Sequence, residues 1–307
     1  MRRFLPPAGG PLRGRFLQRL AGLMGASPEA AEGSHGMMAR GPFALPPGAQ
    51  LDSDVAYGEL PSQRLDVYRP ASAAGAPLML MVHGGGWQRG DKGLHRVIRN
   101  KVAHWVALGW VVVSVNYRLL PDADPLEQAD DVARALAFVQ RSARLWGADP
   151  EQLVLVGHSS GAHLVSLLTA DPAISAGQGA SPWRASVALD GAAFDVVQMM
   201  QGPHFGLHDR AFTQDPAFWR RASPLHRLAG PPVAPLLAVC SSGRDDVCRQ
   251  AKAFAAQANA LGGRVEVLPV DLAHGEINDQ LGRPGAYTDS VERFLFSVGL
   301  PRPPATG

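Results

Sequence analysis

The chain has 307 residues, of which 46% are hydrophobic and 18% are charged, a composition typical of a globular protein long enough for one large α/β domain. Its 29 Lys and Arg residues nearly balance its 27 Asp and Glu residues, and the resulting net charge of +2 argues against a nucleic-acid-binding surface. The 34 glycines and 26 prolines lack the strict period of a collagen, which excludes the fibrous classes.

The first 50 residues are predicted to lie outside the core, as a poorly ordered leader or a docked amphipathic helix. Apolar residues recur at helical spacing opposite three arginines within residues 12–24. The arginines continue through Arg19 with no clean apolar stretch of signal-peptide type, so a secretory signal is a poor match. The longest apolar run, residues 105–115, is far shorter than the roughly 20 residues of a membrane-spanning helix. We therefore expect a cytoplasmic protein without an integral membrane span; secretion and attachment to a membrane surface are the alternatives.

From residue 62 onward, short apolar runs alternate with segments of helical periodicity. The predicted strands are residues 63–68, 78–82, 110–115, 153–156, 185–189, 235–239 and 265–270, and the predicted helices are residues 94–108, 126–146, 163–169 and 249–261. Continuous aliphatic runs separated by helices indicate a mostly parallel sheet with helices on both faces. The predicted fold class is therefore a three-layer α/β domain over residues 51–300. An insert at residues 194–228, rich in Phe, Met and Trp, is a candidate cap or lid.

The sequence Gly157-His158-Ser159-Ser160-Gly161 lies between a predicted strand and a predicted helix. A serine on such a sharp turn is held away from the backbone, and the flanking glycines let the neighbouring chain approach closely. The N–H groups at the start of the following helix add positive potential beneath the site. This placement predicts Ser159 as a nucleophile and the N–H of Ser160 as a donor to an oxyanion.

A second motif, His83-Gly84-Gly85-Gly86-Trp87, follows the predicted strand at residues 78–82. Three glycines expose backbone N–H groups that no side chain obstructs, which suits donors to a developing oxyanion. A flexible turn is the alternative, but the flanking histidine and tryptophan make this the HGGG-type loop of esterases and lipases. Gly85 and Gly86 are the predicted remaining donors. Trp87 and His158 are candidate substrate-pocket residues, with a structural role as the alternative for each.

A serine hydroxyl needs a base and an orienting carboxylate to act as a nucleophile near neutral pH. His274 is the predicted base, because it follows the last predicted strand in a loop that can reach over the C-terminal edge of the sheet. The predicted acid is Asp245, in the loop after residues 235–239, with Asp246 as the alternative acid or as the cap of the next helix. Asp190, at the end of an earlier predicted strand, is a less favoured candidate because Asp-Gly is typical of a turn.

Two cysteines, Cys240 and Cys248, flank the loop that carries the predicted acid. Two cysteines cannot form a disulfide scaffold or a four-ligand zinc site, and we expect neither a metal nor an organic cofactor. They could form one local disulfide, which the sequence leaves open.

Five stretches carry a resemblance to a known superfamily: LDVYRP (65–70), HGGGW (83–87), NYRL (116–119), GADPEQLVLVGHSSGAHL (147–164) and LAHGEIN (272–278). They resemble the α/β-hydrolase superfamily, and within it the esterase branch of hormone-sensitive-lipase-like carboxylesterases and kynurenine formamidase-like enzymes. The resemblance covers residues 60–298. It implies an α/β-hydrolase fold with Ser159 as nucleophile, His274 as base and Asp245 as acid, although two adjacent Asp residues between two cysteines depart from the pattern of the family.

The function that this resemblance implies is that of a serine carboxylesterase, which hydrolyses small or short-acyl esters through an acyl-enzyme intermediate. An N-formyl aryl amide hydrolase of the kynurenine formamidase type is the alternative, because the same machinery serves both reactions. A catalytically inactive binding module of this fold is a second alternative, disfavoured by the intact motifs. The expected partner is a small-molecule ester or amide; the sequence makes no prediction of the oligomeric state.

Overall fold

The structure is a computed structural model that describes residues 43–302, so most of the predicted leader at residues 1–50 lies outside the described residues. One sheet contains eight strands: β1 (Gln50–Ala56), β2 (Arg64–Arg69), β3 (Ala76–Val82), β4 (Val111–Val115), β5 (Ala148–His158), β6 (Ala185–Leu189), β7 (Leu236–Ser241) and β8 (Val265–Val270). Their order across the sheet is β1-β2-β4-β3-β5-β6-β7-β8. β2 pairs antiparallel with both of its neighbours, and the other pairings are parallel.

Helices fill most of the connections between these strands. They are α1 (His95–Lys101), α2 (Pro125–Ser142), α3 (Ser160–Ala170), α4 (Pro172–Gly177), α5 (Val196–Gln201), α6 (Gly206–Phe212), α7 (Pro216–Ala222), α8 (Pro224–Arg227), α9 (Asp245–Ala260), α10 (His274–Asp279) and α11 (Ala286–Ser297). A π-helical turn, Val102–Val106, extends α1, and a 3-10 turn, Ala143–Trp146, follows α2.

The sheet is covered on both faces, because alternate residues of each central strand point to opposite sides. Leu80 of β3 packs in a core with Leu136 of α2, whereas its neighbour Met81 packs on the other face with Ile98 of α1 and Phe294 of α11. All residues of β3, β4, β6 and β7 are buried, as expected for parallel strands between two helical layers. The predicted three-layer α/β fold with a mostly parallel sheet is confirmed.

The first strand is absent from the sequence-based prediction. β1 lies at the edge of the sheet and most of its residues are exposed, so it lacks the continuous apolar run by which the other strands are recognised. Its pairing with β2 is also interrupted between Asp52 and Val55. An edge strand of this kind is held by backbone pairing more than by burial.

Four short helices, α5 to α8, occupy most of the predicted insert at residues 194–228 and join β6 to β7. Phe212, Phe218 and Trp219 of the insert are buried. Its action as a cap or lid stays a prediction. Among residues 43–302, no helix has both the length and the apolar character required to cross a membrane.

Cys240 at the end of β7 and Cys248 in the first turns of α9 form a disulfide bond, which answers the question that the sequence leaves open. Their Cα atoms are 5.3 Å apart, within the range that a disulfide requires. The bond therefore ties the end of a central strand to the helix that follows it and closes the short loop between them.

Replacing both cysteines by serine is expected to lower the free energy of unfolding by about 2–3 kcal/mol, because the cross-link restricts a short loop in the unfolded chain. Urea unfolding followed by circular dichroism measures the change. Treatment with a reducing agent should lower the stability of the wild type by a similar amount and leave the double variant unaffected. Equal stability of the oxidised wild type and the double variant would contradict the expectation.

Candidate active site

Ser159 lies on the turn between β5 and α3, at the C-terminal edge of the sheet. Its backbone has φ +55° and ψ −119°, a conformation that residues other than glycine seldom adopt. The turn packs tightly, since a Cβ atom on Gly161 would lie 2.4 Å from the carbonyl oxygen of Val82. The strand, sharp turn and helix that the motif predicts are present, and the surrounding structure holds the serine in a strained conformation.

His274 is the first residue of α10 and lies beside Ser159, as the sequence predicts. Its Nε2 atom is 3.1 Å from the Ser159 hydroxyl oxygen, within hydrogen-bond distance. Its backbone carbonyl lies 2.9 Å from Nε2 of His158, which can donate a hydrogen bond to it. Ser159 and His274 are 115 positions apart in the chain, and the fold brings them together at the edge of the sheet.

The carboxylate beside this histidine belongs to Asp190, so the prediction that Asp245 or Asp246 takes this position is wrong. Nδ1 of His274 lies 2.6 Å from Oδ2 of Asp190, which directly follows β6. Asp245 and Asp246 are exposed in the first turn of α9, and no contact joins either carboxylate to His274 within the described residues. They serve the start of a helix, where negative charge is favourable.

The Asp-Gly pair that favours a turn in the sequence is consistent with this placement. Asp190 has φ +50°, so the chain does turn there, and the turn directs its side chain toward His274. The missed signal is the position of β6 in the sheet. β6 lies between β5, which carries the nucleophile, and β7, so a residue at its carboxyl end is as close to the site as one after β7.

Asp190 is held by three donors although its side chain is fully buried. The N–H of Ser241 donates to Oδ1 at 2.9 Å, while His274 and the guanidinium of Arg244 contact Oδ2. Burial alone raises the pKa of the carboxyl, but the hydrogen bond with His274, the charge of Arg244 and the Ser241 N–H outweigh it and hold the pKa at about 2. Asp190 is therefore ionised at neutral pH. Ser241 and Arg244 were not identified from the sequence.

The glycine-rich loop after β3 lies directly against the serine turn. A Cβ atom on Gly84 would lie 2.7 Å from the carbonyl oxygen of His158 and 2.9 Å from Cβ of Ser159, so only glycine permits this approach. Gly85 and Gly86 have φ of +142° and +64°. Their N–H groups donate no hydrogen bond to any other residue from 43 to 302, and the first N–H groups of α3, including that of Ser160, have no partner within the helix. The catalytic role of these three predicted donors stays a prediction.

The two predicted pocket residues, Trp87 and His158, are buried, and their contribution to a substrate pocket stays a prediction. Trp87 is 4% exposed; its indole N–H donates to Nδ1 of His163 and its ring packs against Phe212. His158 is also buried, and burial holds its pKa well below the usual value, so it is neutral at neutral pH. Trp87 thus contacts the insert through Phe212, whereas the ring of His158 packs against that of His274 at 4.6 Å between centroids.

The helix that begins with His274 is also anchored at its other end. The ammonium of Lys101, on α1, donates to both the backbone carbonyl and the side-chain oxygen of Asn278 at 2.7 and 3.0 Å. The side-chain amide of Asn100 donates to the carbonyl of Asp279. Donors at the C-terminus of a helix satisfy its last carbonyl groups and favour its dipole. The position of His274 is therefore fixed from both ends of α10.

These features together define an α/β-hydrolase fold with a serine, a histidine and a carboxylate at the C-terminal edge of its sheet. The solved structures that resemble it confirm the fold. The superposition on esterase B from Lactobacillus rhamnosis covers 88% of this chain and 90% of the esterase chain, with a TM-score of 0.69 and 20% sequence identity. The superposition on the apo form of esterase 2 from Thermogutta terrifontis covers 84% of this chain and 97% of the esterase chain, with a TM-score of 0.65 and 22% sequence identity.

Sequence comparison adds more specific relatives. The family model described as BD-FAE matches residues 65–177. Esterase LipQ of Mycobacterium tuberculosis is 33% identical over 58% of this chain and 45% of its own length. A probable isoprenylcysteine alpha-carbonyl methylesterase, ICMEL1 of Oryza sativa, is 35% identical over 44% of this chain and 32% of its own length. The probable carboxylic ester hydrolase LipM of Mycobacterium tuberculosis is 34% identical over 39% of this chain and 28% of its own length.

These relatives confirm the predicted resemblance to the carboxylic ester hydrolases of the α/β-hydrolase superfamily. The chain spans less than half the length of each of the three relatives, between 28% and 45%.

Proposed function

We propose that this protein is a serine carboxylesterase that hydrolyses small or short-acyl esters. The observation that carries the proposal is the continuous series of contacts from the Ser159 hydroxyl through the His274 imidazole to the Asp190 carboxylate. A nucleophile, a base and an orienting acid within hydrogen-bond distance are the arrangement that activates a serine for acyl transfer.

In the first half of the reaction, the Ser159 oxygen attacks the ester carbonyl while Nε2 of His274 takes the hydroxyl proton. The oxygen that becomes negative is stabilised by the N–H groups of Gly85, Gly86 and Ser160. Asp190 holds the imidazole in the orientation in which Nε2 faces the serine. The protonated His274 then gives its proton to the departing alcohol, and the acyl group remains on Ser159.

In the second half, water replaces the alcohol. Nε2 of His274 takes a proton from the water, whose oxygen forms a bond to the acyl carbon, and the same donors stabilise the second oxyanion. The bond to Ser159 breaks, the serine recovers its proton from His274, and the carboxylic acid leaves. In both halves, the groups that move the proton and stabilise the oxyanion are side chains and backbone N–H groups of this chain.

The preference for short acyl groups is supported by the helix α6, which lies over the glycine-rich loop. Cδ1 of Leu207 would be 3.6 Å from a Cβ atom on Gly86, in van der Waals contact. The guanidinium of Arg210 donates to the side-chain oxygen of Gln88 at 2.8 Å and ties the helix to the end of this loop. The Leu207 side chain therefore lies next to one of the proposed oxyanion donors, where we expect it to contact the acyl group of a substrate.

The test is a panel of p-nitrophenyl esters from acetyl to dodecanoyl, together with N-formylkynurenine, given to the purified full-length chain. We expect kcat/KM to be highest for acetyl or butyryl and to fall by at least about tenfold for octanoyl. An initial burst of nitrophenol equal to the enzyme concentration shows the acyl-enzyme. Preference for N-formylkynurenine over every ester would support the formamidase alternative. No turnover and no labelling by a fluorophosphonate probe would support the inactive binding module.

A further inference from the structure

Arg244 occupies a position that the reaction described above does not use. It lies at the start of α9, and its Nη1 atom contacts Oδ2 of Asp190. The same nitrogen is 2.8 Å from Nδ1 of His274, which itself lies 2.6 Å from that oxygen. One carboxylate oxygen therefore faces two nitrogen groups, an imidazole and a guanidinium.

We propose that Arg244 is a positioning residue that acts through Asp190 and His274: its guanidinium places a fixed positive charge beside the acid–base pair and extends the active pH range of the esterase to lower pH. The proposal rests on the serine esterase function above and deepens it. It assigns to the loop after β7 the control of the acid–base pair, although the carboxylate itself comes from β6.

The charges explain the direction of the effect. A buried Asp190 carboxylate favours a positive imidazole, but an arginine side chain keeps its positive charge throughout the pH range in which proteins are stable. A second positive charge on His274 would lie next to the guanidinium, and like charges in contact disfavour the protonated form. The guanidinium also takes up part of the negative charge that Asp190 offers to the imidazole. Both effects favour the neutral base.

The burial of the cluster makes these interactions stronger than on an open surface. The side chain of Asp190 is fully buried and that of Arg244 is 34% exposed. The disulfide between Cys240 and Cys248 encloses the loop that carries Arg244 and Ser241, so two of the donors to Asp190 stand on a cross-linked segment. The cross-linked loop therefore holds the Arg244 guanidinium beside the Asp190 carboxylate.

Other ionisable groups around Asp190 and His274 come from several elements, and the next four place no second positive charge beside the pair near pH 7. His158 of β5 and His208 of α6 are neutral near pH 7, because burial lowers both pKa values, that of His208 to about 4. Burial raises the pKa of Tyr287 on α11, which is therefore neutral too. Glu276 of α10 is exposed and accepts the N–H of Ala273.

One group does titrate in the same pH range. Burial lowers the pKa of Lys101 to about 7, and its charge acts on His158. The lysine is present in the wild type and in every variant proposed below, so a comparison between these proteins cancels its contribution. The remaining carboxylates next to Arg244, those of Asp245 and Asp246, are exposed on α9.

The test is the pH dependence of kcat/KM for p-nitrophenyl acetate in the wild type, Arg244→Gln, Arg244→Met and Arg244→Lys. We expect both neutral variants to move the midpoint of the acidic limb upward by about one pH unit, because the base then protonates more easily. Arg244→Lys keeps the charge and is expected to keep the midpoint near that of the wild type. Arg249→Gln, which removes an exposed charge from the same helix, is the matched control and should leave the profile unchanged.

Three results would overturn the proposal. They are an acidic limb that stays in place in the neutral variants, an equal shift in Arg249→Gln, and a loss of folding in both neutral variants while Arg244→Lys folds, which would give the charge a structural role only. Failure of the esterase function is a separate outcome, since it appears as an inactive wild type. A wild type that is active and depends on Ser159, with an unmoved limb in the variants, rejects the role of Arg244 alone.

Discussion

Replacing Ser159 by alanine is expected to lower kcat for p-nitrophenyl acetate by about 10⁶-fold and to abolish the nitrophenol burst. The reason is that the substitution removes the oxygen that attacks the carbonyl and carries the acyl group, and comparable changes in serine hydrolases have effects of this size. The remaining activity comes from binding and from the oxyanion donors, which the substitution leaves in place. Steady-state kinetics and labelling by a fluorophosphonate probe measure the loss.

The matched control is Ser166→Ala in the same helix region. Ser166 lies on α3, it is buried, and its hydroxyl has no hydrogen-bond partner within the described residues. Loss of that hydroxyl removes the same atom from a neighbouring position with an expected change in kcat of less than about twofold. A Ser159→Ala variant that keeps more than about one hundredth of the wild-type activity would show that another group is the nucleophile.

Replacing Asp190 by asparagine is expected to lower kcat by about 10³–10⁴-fold. An asparagine keeps the shape of the side chain, and its oxygen can still accept the N–H of Ser241, but it has no charge with which to hold the His274 imidazole in the required tautomer. Unlike Ser159→Ala, this variant should still be labelled by a fluorophosphonate probe, because the serine is present. Thermal unfolding of the variant checks that the fold is kept.

Asp245→Asn and Asp246→Asn provide the decisive comparison. Both carboxylates are exposed at the start of α9, away from His274, so each substitution is expected to change kcat by less than about twofold. The three variants have the same chemical change at three aspartates of one site region. A large loss in Asp245→Asn or Asp246→Asn, together with near-normal activity in Asp190→Asn, would place the acid after β7 instead.

The position of the acid explains how the site is divided among the strands. β5 supplies the nucleophile, β6 the carboxylate, and the loop after β8 the base. β7 lies between the last two and supplies no carboxylate to the histidine, but its end provides the Ser241 N–H and the following loop provides Arg244. The segment in which the sequence predicts the acid thus provides the groups that hold the acid.

Features that depend on neighbouring residues are readable from the chain. GHSSG and HGGGW indicate a sharp turn and an open row of N–H groups because glycine determines the backbone locally. Continuous aliphatic runs predict central parallel strands because such strands are buried on both faces. His274 is predictable as well, since it follows the last strand and carboxyl ends of parallel strands meet at one edge. The edge strand β1 escapes prediction, because an exposed strand needs no apolar run.

What the sequence by itself determines is therefore the α/β architecture, the serine on its turn and the histidine that reaches it. The tertiary structure alone decides which of three aspartates meets that histidine, that Cys240 and Cys248 are joined, and that the side chains of Trp87 and His158 are buried. For the aspartates, the physical reason is that Asp190 and Asp245 follow neighbouring strands, β6 and β7, whose carboxyl ends meet at the same edge of the sheet. The contact with His274 depends on strand order and side-chain direction, which no local pattern of residues encodes.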